Sequence, residues 1–144
     1  WALRVNENFQ RPAIVVTGSR TDTAAIIATA QVVIGVGRVI LEGMASAKPV
    51  VIAGEAGFMG LLTPELLPAA RRHNFSGRGS KERTGARVIG NAVDRALGDE
   101  ELALELGSFG RRTVLKEFSL AQMAWEVEQV YYKALGRDDN AADR

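Results

Sequence analysis

Apolar positions in the first third of this chain come in unbroken blocks rather than in alternation. AIVVT (13–17), QVVIG (31–35) and VVIAG (50–54) are three such blocks, and the stretches between them repeat their apolar residues at helical spacing. Ile26, Ile27 and Ala30 recur in DTAAIIATA, and Val39, Leu41, Met44 and Ala45 recur in RVILEGMASA. Lys48-Pro49 ends the second helix, because a residue before proline is pushed out of the α region. Strands without polar alternation fit a sheet covered on both faces, and strands that alternate with helices build right-handed parallel βαβ units. The pattern thus predicts an α/β fold with a parallel sheet.

Residues 54–83 turn rich in Gly, Pro and basic side chains and read as a long loop with one short helix near 64–70. Amphipathic helices follow at 84–97, 99–116 and 119–135. Asp99 and Ser119 are their N-cap candidates, and Ala121, Met123 or Ala124, Val127, Val130 and Leu135 form the inward face of the last one. The domain is expected to span 1–136, with a polar, disordered tail at 137–144. AIVVT is charge-free and has an open side, which predicts self-association into a two-fold dimer. Alternatively, the alternation of Trp1, Leu3 and Val5 with Ala2, Arg4 and Asn6 lets the N-terminal segment fold back as a strand over that edge.

At 144 residues the chain is the size of one domain, and its Lys+Arg total of 18 against 17 Asp+Glu leaves a net charge of +1. Nothing in that balance recruits nucleic acid or an anionic membrane. The chain has no cysteine and a single histidine, His73, so a disulfide framework, a thiolate or His-rich metal site and a Cys nucleophile are excluded from it. No apolar run approaches bilayer length, and the expected location is cytoplasmic. The opening at Trp1 marks the chain as an expected piece of a longer protein.

Ligand crevices of open parallel sheets lie at the carboxyl ends of the strands. Three glycine-bearing turns fall there, at Gly18, at Gly35 to Arg38 and at Gly54 to Gly60. The second leads straight into a helix, so the backbone N–H groups of Arg38, Val39 and Ile40 and the helix dipole face an incoming anion. Arg38 adds a guanidinium there, and Glu42, one turn on, is placed to accept hydrogen bonds from ribose hydroxyls. This sketches a nucleoside diphosphate site. The plainer alternative is a tight strand-to-helix turn with Arg38 solvated and Glu42 paired on the surface. His73 reads as a surface residue rather than a general base, and the run Arg71, Arg72, Arg78, Lys81, Arg83, interrupted by Glu82, reads as a solvated loop, with a basic patch for phosphate or anionic lipid as the alternative. Trp125, Tyr131 and Tyr132 read as core or interface aromatics, with stacking on a base or sugar as the alternative.

QVVIGVGRVILEGMASAKPVVIAG resembles the donor-binding core of family-4 retaining glycosyltransferases, whose helix has the form V-L-L-E-A-M-A-x-G-K-P-V-V. ALGDEELALELGSFGRRTVLKEFSLAQMAWEVEQVYYKAL is similar to that family's C-terminal helices, so the likeness extends over roughly 13–136. The resemblance implies a Rossmann-like three-layer α/β/α unit, part of the C-terminal domain of a two-domain GT-B enzyme. It is expected to bind a nucleotide-sugar donor such as a UDP-sugar as substrate, with no separate cofactor and no metal-ligating residue assigned, and to be inactive without the N-terminal acceptor domain. It assigns Glu42 to the donor ribose, Gly37, Arg38 and Val39 to the diphosphate, and Gly54, Glu55 and Gly57 to the glycine-rich turn beside the donor. No residue maps to a catalytic acid or base. Eight positions before Glu42 the family carries a sugar-binding glutamate, where this chain has Ile34. Glu55 is the alternative carrier of that contact. Arg38, and more weakly Arg20, are the candidates to replace family cations that fall outside the chain. The competing reading is a non-catalytic nucleotide-binding or oligomerisation module of the same fold.

Overall fold

The computed structural model describes residues 2–9 and 12–136. Trp1 and the expected disordered tail lie outside the described residues. In chain order the elements are α1 (Ala2–Glu7), α2 (Thr23–Thr29), β1 (Val33–Gly35), α3 (Arg38–Ala45), β2 (Val50–Gly54), β3 (Gly57–Leu61), α4 (Leu67–Arg72), α5 (Ala86–Gly98), α6 (Glu100–Glu117) and α7 (Leu120–Ala134).

β1 and β2 pair in parallel, Val33 opposite Val50 and Gly35 opposite Ile52, with α3 as the crossover between them. β3 then turns back antiparallel to β2, so the fold is mixed α/β with a three-stranded sheet in the order β1-β2-β3. β2 is the central strand and is covered on both faces. Val50 and Ile52 join Val33, Ile40, Met44, Leu62, Ala70 and Phe75 in one buried cluster, while Val51 and Ala53 join Phe58, Leu61, Ala96 and Leu106 in a second. This two-sided burial is why VVIAG carries no polar position. α6 braces both clusters, giving Leu106 to one and packing Val114, with Phe118 just past its end, against the other. Its start is capped by Asp99, which accepts from the Leu102 N–H at 2.9 Å, and Ser119 caps α7 by accepting from Gln122 N–H at 3.2 Å, both at the positions the sequence indicates.

Four expectations are corrected. The sheet is not all parallel, because part of the presumed loop 54–83 is the strand β3. GFMGL looks loop-like from its glycines, yet Phe58 and Leu61 bury their side chains in the second cluster, and that burial outweighs the weak strand propensity of glycine. Residues 13–17 form no strand. A strand is made by its ladder, and here the N–H groups of Ala13 and Ile14 donate instead to Asn6 Oδ1 while Asn6 Nδ2 donates to the Ile14 carbonyl, leaving Val15 and Val16 exposed. The N-terminal segment is the helix α1, not an edge-covering strand. Finally, α7 is a helix but buries no residue, and Met123, Val127, Val130 and Leu135 all stand in solvent.

Candidate functional site

The turn from β1 into α3 is held open by geometry that only glycine tolerates. Gly37 has φ 59° and ψ −123°, and its N–H donates to the Phe75 carbonyl at 2.9 Å. α3 starts immediately after it, with Ile40 fully buried under the sheet and Arg38 and Val39 outside. The N–H of Ile40 is taken by the Gly37 carbonyl at 3.1 Å, so it is not among the groups that face an incoming anion; the expectation for Ile40 is corrected here. Arg38 and Glu42 are brought together directly, with Arg38 Nε donating to Glu42 Oε1 at 3.0 Å. The Arg38 side chain is 90% exposed and that of Glu42 31%. An exposed pair at this spacing contributes about 0.5 kcal/mol or less, and a cation at a helix N-terminus opposes the dipole. A ligand anion can therefore draw Arg38 off Glu42 at small cost.

The second turn of the candidate site is the β2–β3 hairpin, with Gly54 opposite Gly57 and Glu55-Ala56 at its tip. It lies against the first turn, since a methyl group added at Gly54 would meet Val36 Cγ1 at 2.6 Å. A third piece closes the arrangement. After α4 the chain crosses from the first turn, where Phe75 holds Gly37, to the hairpin, where the Phe58 N–H donates to the Glu82 carbonyl at 2.9 Å and Thr84 Oγ1 donates to the Gly54 carbonyl at 2.6 Å. Between this segment and the hairpin tip lies an open cleft of about 480 Å³, with Glu55, Lys81, Glu82 and Arg83 among its lining residues. Gly54, Glu55 and Gly57 are thus part of a real concavity, and the 80–84 segment, which in the sequence is only the end of a basic run in a long loop, is its wall. Its signals in the sequence are that basic run and the loop's length, since long loops inside compact domains tend to carry function.

Other candidates are placed elsewhere. Arg20 is clamped by Asp22 through two hydrogen bonds, Nε at 2.8 Å and Nη2 at 2.6 Å, which hold the Asp22 carboxyl below its usual range and raise the guanidinium of Arg20. Arg71 pairs with Glu117 at 2.7 Å and lies over the Phe118 ring, so it braces α4 on α6 rather than joining a basic patch. His73 ends α4 with its ring against Gly79. Trp125, Tyr131 and Tyr132 are exposed on α7, which corrects the core reading of these aromatics. Among the described residues there is no cluster of side chains suited to a metal and no helix long and apolar enough to cross a membrane. Comparison of the chain with protein families, with curated proteins and with solved structures gives no match.

Proposed function

We propose that this chain is the donor-binding unit of a retaining, nucleotide-sugar-dependent glycosyltransferase of GT-B architecture, Rossmann-like in plan. The observation that carries the reading is the convergence of the Gly37-Arg38 turn and the 54–57 hairpin tip at the C-terminal ends of the parallel strands β1 and β2, with Glu42 one turn along α3. That is where open α/β sheets bind nucleotides. On this reading the Arg38 guanidinium leaves Glu42 for the diphosphate, the carboxylate so released accepts the ribose hydroxyls, and the N–H groups of Arg38 and Val39 meet phosphoryl oxygens at the positive end of α3. The protein's part in transfer is to stabilise the diphosphate as it leaves.

Calorimetric titration with UDP, GDP and ADP tests the reading. Saturable binding of one of them is expected, and binding of none overturns it. A non-catalytic nucleotide-binding role is favoured by Ile34, which puts a half-exposed apolar side chain on β1 where the family pattern has a sugar-binding glutamate. Turnover of a nucleotide sugar separates the two, and the chain by itself is expected to show none.

A further inference from the structure

The cleft between the hairpin tip and residues 80–84 has a fixed wall and unspent charges. Ser80 Oγ donates to the Phe58 carbonyl and accepts from the Glu82 N–H, the Glu82 carbonyl accepts from Phe58 N–H, and Thr84 Oγ1 donates to the Gly54 carbonyl. Gly57 and Gly77 meet backbone to backbone at one end of the same wall, where a methyl group on Gly57 would approach the Gly77 carbonyl oxygen to 2.7 Å. Ser80 and Thr84 therefore spend their hydroxyls on the hairpin and Glu82 its backbone carbonyl, while the exposed Glu82 carboxylate also lines the cleft. Lys81 and Arg83 spend no side-chain group there: both line the cleft, both are exposed, and neither is in an ion pair or side-chain hydrogen bond among the described residues. Glu55 lines the cleft from the opposite side, at the hairpin tip.

Two unpaired cations flank Glu82 on a tethered wall, with Glu55 across the cleft, so cationic and carboxylate groups lie side by side in one concavity. Cations take phosphoryl oxygens, and a carboxylate accepts hydrogen bonds from hydroxyls while repelling a second anion. From this we infer that the cleft is a subsite for a sugar phosphate, in which Lys81 and Arg83 hold the phosphoryl group and Glu55 holds hydroxyls of the sugar. Resting on the nucleotide-sugar reading above, it assigns the distal phosphate and the transferred sugar to the 80–84 wall and the hairpin tip. The phosphate contacts then come from two segments far apart in sequence, Arg38 at one turn and Lys81 and Arg83 at the other.

The experiment titrates the full chain with glucose 1-phosphate and with inorganic phosphate, and separately with UDP, GDP and ADP. Glucose 1-phosphate is expected to bind more tightly than inorganic phosphate. Lys81→Ala and Arg83→Ala are each expected to weaken both probes about tenfold at low salt and less at high salt, where exposed charges are screened. Lys81→Arg retains binding, and Arg112→Ala, which removes an exposed cation on α6, leaves it unchanged. Glu55→Gln weakens glucose 1-phosphate and not phosphate. No binding of either probe, or full binding in both the Lys81 and Arg83 variants, overturns the subsite even if a nucleotide still binds in a Glu42-dependent way. Sensitivity to Lys81 and Arg83 without any nucleotide binding upholds the subsite and removes the nucleotide reading. Indifference to Glu55→Gln overturns the sugar contact.

Discussion

Arg38 and Glu42 are already paired across one turn of α3, and that pairing decides how they are to be tested. If Glu42 receives ribose hydroxyls, Glu42→Ala is expected to cost about 1.5–3 kcal/mol of affinity for the best-binding nucleotide, the range for hydrogen bonds to a charged group. The fold should be unaffected, because Glu42 is partly exposed and the Arg38 side chain it pairs with is mostly in water. Arg38→Ala is expected to weaken the diphosphate more than the monophosphate, and equal losses would place Arg38 away from the distal phosphate. Calorimetry on the two variants with both ligands reads each outcome. At this scale the sequence was informative for the placement of Gly37, Arg38 and Glu42 at the turn and first helical turn, which follows from neighbours close in sequence. It marked Lys81 and Arg83 only as part of a basic run, because their position is set by contacts 22 and 30 residues away, from Ser80 to Phe58 and from Thr84 to Gly54.

Among the elements, β1, α3 and β2 were legible because each announces itself locally, through uninterrupted apolar runs or helical spacing. β3 was not legible, since its glycines hide a strand that only tertiary burial of Phe58 and Leu61 stabilises. AIVVT failed in the opposite sense: strong β propensity without a ladder does not make a strand. α3 and α6 show how small residues set helix approach. A methyl group on Gly107 would collide with the Ala47 carbonyl oxygen, while Arg111 Nη1 donates to the Ala45 carbonyl at 2.7 Å near the end of α3. Gly107→Ala gains helix propensity but forces α6 off α3, and a net loss of about 1–3 kcal/mol is expected in chemical denaturation. α7 gives the converse case. It buries nothing, and an isolated helix of its length is marginal in water. Hydrogen exchange is expected to leave its amides far less protected than those of β2 and α3, and equal protection would show that α7 is held by more than its cap.

For the molecule as a whole, charge near neutrality and uncovered apolar surface act in the same direction. Leu120, Val130, Tyr131 and Leu135 are each more than 60% exposed, and Val15 and Val16 add a second apolar segment. With a net charge of +1 and an isoelectric point near 8.3, long-range repulsion between copies is weak. Light scattering is expected to show association that grows with concentration, is strongest near pH 8.3, and falls when Val127→Lys and Val130→Lys are combined. Scattering that is flat in both pH and concentration would remove the expectation. The open edge was predicted from AIVVT; the exposed surface lies mainly on α7, because periodicity reports that a helix has an apolar face but not that anything covers it.

The hairpin also bears on how the chain finds its fold. β2 has both of its partners close by in sequence: residues 36–49 connect it to β1, and residues 55–56 connect it to β3. Closing short loops costs little chain entropy, so the sheet and α3 can assemble before the helices that follow β3 arrive. Conservative truncations such as Val51→Ala and Ile52→Val should then slow refolding, whereas truncations on α6 should mainly speed unfolding. The two glycine turns would come together in that first step. The wall carrying Lys81 and Arg83 would dock only afterwards, so the crevice would be the last part of the sheet edge to take shape.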